Sequence, residues 1–189
     1  MTSASNGTFS DGVSAGHDLA SDRRALRRLL DKDAIVDLVH RYSYCVDHRL
    51  HDELAALFTE DCTVDYGPGS APVIHGRSEF RAMFSASTPP NDQPGFVRTS
   101  HHNANVLTAF DTDDRATVRT SMYAWHRTTA GTTPQVWGYY HDVVVRTPDG
   151  WKFHERKLHL LGTDGWHDGY HRAVHTAPEI AAPATPTAG

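Results

Sequence analysis

Residues 96–161 read FVRTSHHNANVLTAF, DTDD, RATVRTSMYAWHRT, TAGTTP, QVWGYYHDVVVRT, PDG and WKFHERKLHLL in succession. Apolar and polar residues alternate through the long runs, and Asp, Gly and Pro clusters punctuate them, which is the pattern of strands joined by hairpins. The expected strands are Val97–Phe110, Arg115–Thr128, Gln135–Thr147 and Trp151–Leu161. Upstream the period changes to helical. Ile35, Leu38, Val39, Tyr42 and Val46 recur every three or four residues, and Leu26, Leu29 and Leu30 extend the stripe. Asp52 is placed to cap a short helix over Glu53–Phe58, Cys62–Tyr66 alternates like a strand, and Ser78 is placed to cap a helix over Glu79–Phe84. Helices followed by long antiparallel strands predict an α+β fold, a curved and mostly antiparallel sheet wrapped around the N-terminal helices.

The 189 residues fit one domain, expected over 22–172 with flexible tails at 1–21 and 173–189. Eighteen Lys and Arg against 23 Asp and Glu give a net charge of −5, with no basic block beyond Arg23–Arg24 and Arg27–Arg28, so nucleic acid is not an expected partner. No stretch approaches the roughly 18 apolar residues of a membrane span, and two cysteines do not make a disulfide framework. A cytoplasmic protein with no membrane partner is expected. Histidine is abundant, at 14 residues, and it is both a proton carrier near neutral pH and a metal ligand.

The polar residues on otherwise apolar elements are Tyr42, Asp47, Tyr66, His101, His102, His126, His141 and Arg156. Arg156 shares strand parity with His154, Leu158 and Leu160, and His126 with Val118, Met122 and Ala124, so each sits on an apolar face and an ionised group there needs a partner. His101 and His102 are strand neighbours pointing to opposite faces, so only one can line a pocket. His101, His126 and His141 on three strands form a possible three-His metal centre, although no close-packed ligand signature accompanies them. His167, His171 and His175 would make one stripe on a helix, in a segment with few apolar residues.

Tyr42-x4-Asp47, Leu54-x2-Leu57-Phe58, Asp65-Tyr66, Thr99-Ser100-His101, His126 and Asp149-Gly150-Trp151-Lys152-Phe153 occur in an order that resembles the SnoaL-like branch of the NTF2-like superfamily, over roughly residues 26–162. Within that branch the chain most resembles scytalone dehydratase and the bacterial bile-acid 7α-dehydratase. The intervals of 54 residues from Asp47 to His101 and 25 from His101 to His126 are similar to those between the catalytic Asp and two His of the fungal enzyme. Tyr42, Asp47 and Arg156 resemble the Tyr, Asp and Arg of the bile-acid enzyme. Val46 stands where the fungal enzyme has a second tyrosine, and Gly138 and Tyr140 where it has Ser and Asn, so a ligand other than scytalone is expected.

The resemblance implies an NTF2-like cone enclosing a pocket, with no cofactor and no metal, and a homodimer or homotrimer. It implies a dehydratase (hydro-lyase) for a small hydrophobic hydroxy-carbonyl compound, such as a polyketide or steroid-like metabolite. Asp47 would orient His101 for proton abstraction and return, His126 would share that work or position the leaving group, and Tyr42 and Tyr66 would polarise the carbonyl. Arg156, Tyr140 and Trp125 are the expected substrate-binding residues, with Trp137 and Phe153 as further wall candidates. The alternatives are an isomerase or cyclase of the same superfamily, since the same groups also move protons without losing water, and a non-catalytic NTF2-like binding or assembly subunit.

Overall fold

The computed structural model describes residues 18–67, 72–86 and 95–166. The expected C-terminal tail and the His167, His171 and His175 stripe lie outside the described residues, as does the expected N-terminal tail except for its last few residues.

Helix α1 (Leu19–His48) starts inside the stretch expected as tail, because the Asp18 side chain accepts the Ala20 N–H at 3.0 Å and caps it. Ile35, Leu38, Val39, Tyr42 and Cys45 are buried on one stripe, while Leu26, Leu29 and Leu30 continue the period but stay exposed beyond the edge of the core. The helix stops at Arg49, which takes the left-handed region at φ 57°, and the N–H groups of Arg49 and Leu50 satisfy the carbonyls of Val46 and Cys45.

Helix α2 (His51–Ala56), strand β1 (Phe58–Asp65), strand β2 (Ile74–His75) and helix α3 (Arg77–Ala86) follow. Neither expected cap is one: Asp52 lies in the first turn of α2 with its carboxylate on Arg81 of α3, and Ser78 lies within the first turn of α3. Phe58, expected in the short helix, begins β1, because its fully buried ring packs on Phe80 and Phe153 once β1 pairs with the last strand.

Strands β3 (Phe96–Phe110), β4 (Arg115–Thr128), β5 (Gln135–Thr147) and β6 (Gly150–Asp164) match the expected runs to within three residues at either end. The six strands lie in the order β2-β1-β6-β5-β4-β3, all antiparallel except the β1–β6 pair. The result is an α+β cone of NTF2-like type: a curved, unclosed, mixed sheet whose inner face covers the helices.

Register fixes which side chains enter the cone. On β3 and β4, Thr99 pairs with His126, His101 with Ala124 and Asn103 with Met122, and on β4 and β5, Thr120 pairs with Tyr140. On β6 the register shifts between the partners of Val143 and Val144, so one extra residue, His154, bulges out of the ladder. This bulge corrects the simple parity reading, since Phe153 and Arg156 are buried inside whereas His154 meets Thr59 and Asp61 on β1. Gly138 on β5 permits a close backbone approach, where a Cβ would collide with the His159 carbonyl oxygen.

Candidate active site

A cavity of about 390 Å³ lies between the inner face of the sheet and the helices. Tyr42, Val46 and Arg49 line it from α1 and its cap, Met83 and Phe84 from α3, and Thr99, His101, Ala124, His126 and Tyr140 from strands β3, β4 and β5, with Tyr66 and Trp166 completing the wall. The wall is mainly apolar, and its polar groups gather in two places.

Asp47, in the last turn of α1, provides the first. Its Oδ1 meets His101 Nδ1 at 2.7 Å and accepts from Thr99 Oγ1 at 2.8 Å, while its Oδ2 accepts the His101 backbone N–H at 2.8 Å. Burial pushes the Asp47 carboxyl up, but the hydrogen bonds from the His101 ring, the His101 backbone and Thr99 outweigh it and hold the group below the usual carboxylate value. An ionised carboxylate only accepts, so His101 Nδ1 carries the proton and Nε2 is left as the basic nitrogen. The His126 ring stands edge-on to that of His101 at 5.2 Å between centroids, with Phe96 and Trp166 packed on it. Burial first, then the neighbouring His101, pushes the His126 pKa down to about 3. Its buried Nδ1 has no hydrogen-bond partner among the described residues.

The second place is a tyrosine group. The Tyr42 and Tyr66 hydroxyls are 2.8 Å apart, and the Tyr140 ring meets Tyr42 edge-on at 5.9 Å. Burial pushes the hydroxyls of Tyr66 and Tyr140 well above the usual phenol value, so both remain protonated donors. The fold thus brings Tyr42, Asp47, Tyr66, His101, His126 and Tyr140 to one cavity, Asp47 through its hold on His101.

Trp125 and Arg156, expected to touch substrate, do not line the cavity. Trp125 follows the inward Ala124 and precedes the inward His126, so it points to the outer face. Arg156 is inward but sealed behind Tyr42, Tyr140 and Phe153, bonded to Asp142. Trp137 is on the outer face over Gly162, and Phe153 lies behind the cavity wall with Arg156. His102 faces outward beside Ser100 and Tyr123, and His141 is outward beside His159, so His101, His126 and His141 do not converge. Among the described residues no three His, Cys, Asp or Glu side chains are placed to hold a metal. Arg49, Met83, Phe84, Phe96 and Trp166 line the cavity without having been singled out in the sequence. Thr99 could have been, because it stands two residues before His101 and so shares its face.

Residues 27–157 match the SnoaL-like domain. The chain belongs to the SnoaL-like family. This SnoaL-like protein is 33% identical to a candidate scytalone dehydratase of Novosphingobium aromaticivorans over 76% of its own length and 92% of the other chain, with a TM-score of 0.67. It is 25% identical to a candidate aromatic ring hydroxylase of the same organism, covering 75% and 96% of the two chains at a TM-score of 0.66. A type 3 hexachlorocyclohexane dehydrochlorinase of Novosphingobium barchaimii shares the fold at 18% identity, with 76% and 97% covered and a TM-score of 0.64. No curated protein matches the sequence.

Proposed function

We propose that this SnoaL-like protein is a cofactor-independent general acid–base dehydratase that removes water from a small hydrophobic hydroxy-carbonyl compound. The observation that carries the proposal is the 2.7 Å contact between Asp47 and His101 Nδ1 at the wall of a largely apolar cavity. Its volume of about 390 Å³ falls within the roughly 300–1,000 Å³ of small-molecule sites.

In this reading His101 Nε2 takes the proton from the carbon next to the carbonyl, and the C–H electron pair moves toward the carbonyl oxygen as an enolate. With the hydrogen bond between them given up, the Tyr42 and Tyr66 hydroxyls each donate their single hydrogen to that oxygen, a role in which fixed donors in a water-poor site act strongly. Asp47 stabilises the imidazolium formed on His101. As the enolate collapses, the β C–O bond breaks, the departing oxygen takes the proton back from His101, and water and an unsaturated carbonyl compound remain. His126, neutral at physiological pH, orients the leaving hydroxyl by hydrogen bonding and does not serve as a resting cationic acid.

The test is a screen of cyclic β-hydroxy ketones, followed by mass spectrometry for loss of one water. Asp47→Asn and His101→Ala are each expected to lower turnover at least ~10²-fold. Turnover within about twofold of wild type in both variants would remove the dyad, and a product of unchanged mass would replace elimination by isomerisation or cyclisation.

A further inference from the structure

Arg156 is an arginine with no contact to the cavity it was expected to serve. Its Nε donates to Asp142 Oδ1 at 2.9 Å and its second terminal nitrogen to Asp142 Oδ2 at 2.8 Å, a bidentate pair with both side chains fully buried. That fork occupies one edge of the guanidinium. The remaining nitrogen, Nη1, is buried without a hydrogen-bond partner among the described residues. Around the cation stand three aromatic faces, with the guanidinium carbon 3.9 Å from the Tyr42 ring centroid, 4.0 Å from Phe153 and 4.2 Å from Tyr140. Two of those rings, Tyr42 and Tyr140, line the cavity, and Tyr42 shares a 2.8 Å hydrogen bond with Tyr66.

A buried ion pair is a poor choice for stability alone, since apolar residues of similar volume often serve as well or better. Its arrangement here suits another purpose. A cation on the face of a phenol draws on the ring's electron density, and a phenol so polarised is a stronger hydrogen-bond donor to an oxygen that gains negative charge. With Asp142 fixed at one edge of the fork, the positive end of the pair faces the rings.

We propose that Arg156 is a positioning residue that acts through the Tyr42 and Tyr140 rings, charging the tyrosine group so that the cavity recognises an anionic oxygen on a planar, conjugated ligand. This rests on the reading of the tyrosines as donors to an enolate oxygen, and it names the state they select. Asp142 holds Arg156 in place, and Arg156 itself touches no ligand.

The experiment compares two probes of similar shape, 4-nitrophenolate at mildly alkaline pH and neutral 4-nitrotoluene, by equilibrium binding. Wild type is expected to favour the phenolate at least about tenfold. The double variant Arg156→Met with Asp142→Leu removes both charges together and so leaves no unpaired ion. It is expected to lose about tenfold in phenolate affinity, between the worth of an exposed and of a desolvated cation–π contact, with nitrotoluene binding within about twofold of wild type. Arg156→Lys keeps the cation without the fork and is expected to retain the preference to within about threefold, which decides the matter even where the double variant does not fold. A preference that survives unchanged in the double variant, or that Arg156→Lys loses completely, overturns the role of Arg156 alone. A wild-type protein with no preference for the phenolate overturns the donor reading of the tyrosines and this inference with it.

Discussion

At one end of the cavity the side chains of Asp47 and His101 are 18% and 10% exposed, whereas behind the other Arg156 and Asp142 are sealed at 0%. Both ends hold an acid against a nitrogen base, yet they are built differently. Asp47 is anchored by three hydrogen bonds, and its partner's second ring nitrogen is left to exchange a proton. Asp142 grips one edge of a guanidinium that cannot release a proton at any physiological pH. The first pair can therefore change its charge during a reaction, and the second supplies a constant field. Proton chemistry belongs where some water reaches, and a permanent charge belongs where none does.

The largest expected effect tests the sealed end. Arg156→Ala leaves the Asp142 carboxylate buried without its partner and is expected to cost about 3–5 kcal/mol in urea denaturation. Asp47→Ala, whose partner is a histidine free to stay neutral, is expected to cost less than half of that, and equal losses would break the contrast. Acid stability sharpens it next. His126 is held neutral in the fold with a pKa of about 3, against 6.5 for an ordinary histidine, so the unfolded chain takes up the proton first. The stability it contributes is complete above pH 6.5 and is lost as the pH falls toward about 3. The lowered Asp47 carboxyl adds its own loss only below pH 3.8. Denaturation curves at stepped pH are expected to show a shallower decline between pH 6.5 and 4 in His126→Gln, and an unchanged slope would mean that His126 is not buried neutral.

Within the tyrosine group, Tyr66→Phe removes one donor while the Tyr42 hydroxyl remains. A single hydrogen bond of about 1.4 kcal/mol corresponds to about a tenfold fall in kcat, with KM little changed because the bond strengthens only as the enolate forms. A loss confined to KM would make Tyr66 a ground-state contact. The smallest effect is expected at His102→Ala, within about twofold of wild type, since that ring lies on the outer face beside Tyr123.

Much of this was written in the local pattern. The alternation from Phe96 onward located four long strands nearly to the residue, and the resemblance to the dehydratases pointed to Asp47 and His101 as the acid and base that the fold brings into contact. What stayed hidden depended on register and depth. Trp125 was grouped with the pocket although its neighbour His126 is inward, and adjacent strand residues cannot share a face. His154 and Arg156 share parity on paper, but the bulge on β6 turns His154 out and leaves Arg156 inside. Arg156 was legible as an arginine on an apolar face that needs a partner. That the partner is Asp142, and that the Tyr42 and Tyr140 rings stand between Arg156 and the cavity, arises from cross-strand pairing that no single segment contains. Leu26, Leu29 and Leu30 mark the reverse failure, a helical period that outruns the core it was expected to cover.

The parallel pairing of β1 with β6 joins the beginning of the sheet to its end. The Thr59 to His154 contact closes a span of 95 residues, and the Asp47 to His101 bond closes one of 54. Closing long loops is an entropic cost met before any contact repays it, and folds dominated by such contacts form slowly. No single element carries the dyad and the tyrosine group together, because Tyr42 and Asp47 belong to the first helix and His101 and Tyr140 to the later strands. During synthesis the cavity wall is therefore complete only once β5 and β6, which carry Tyr140 and Leu158, have both emerged.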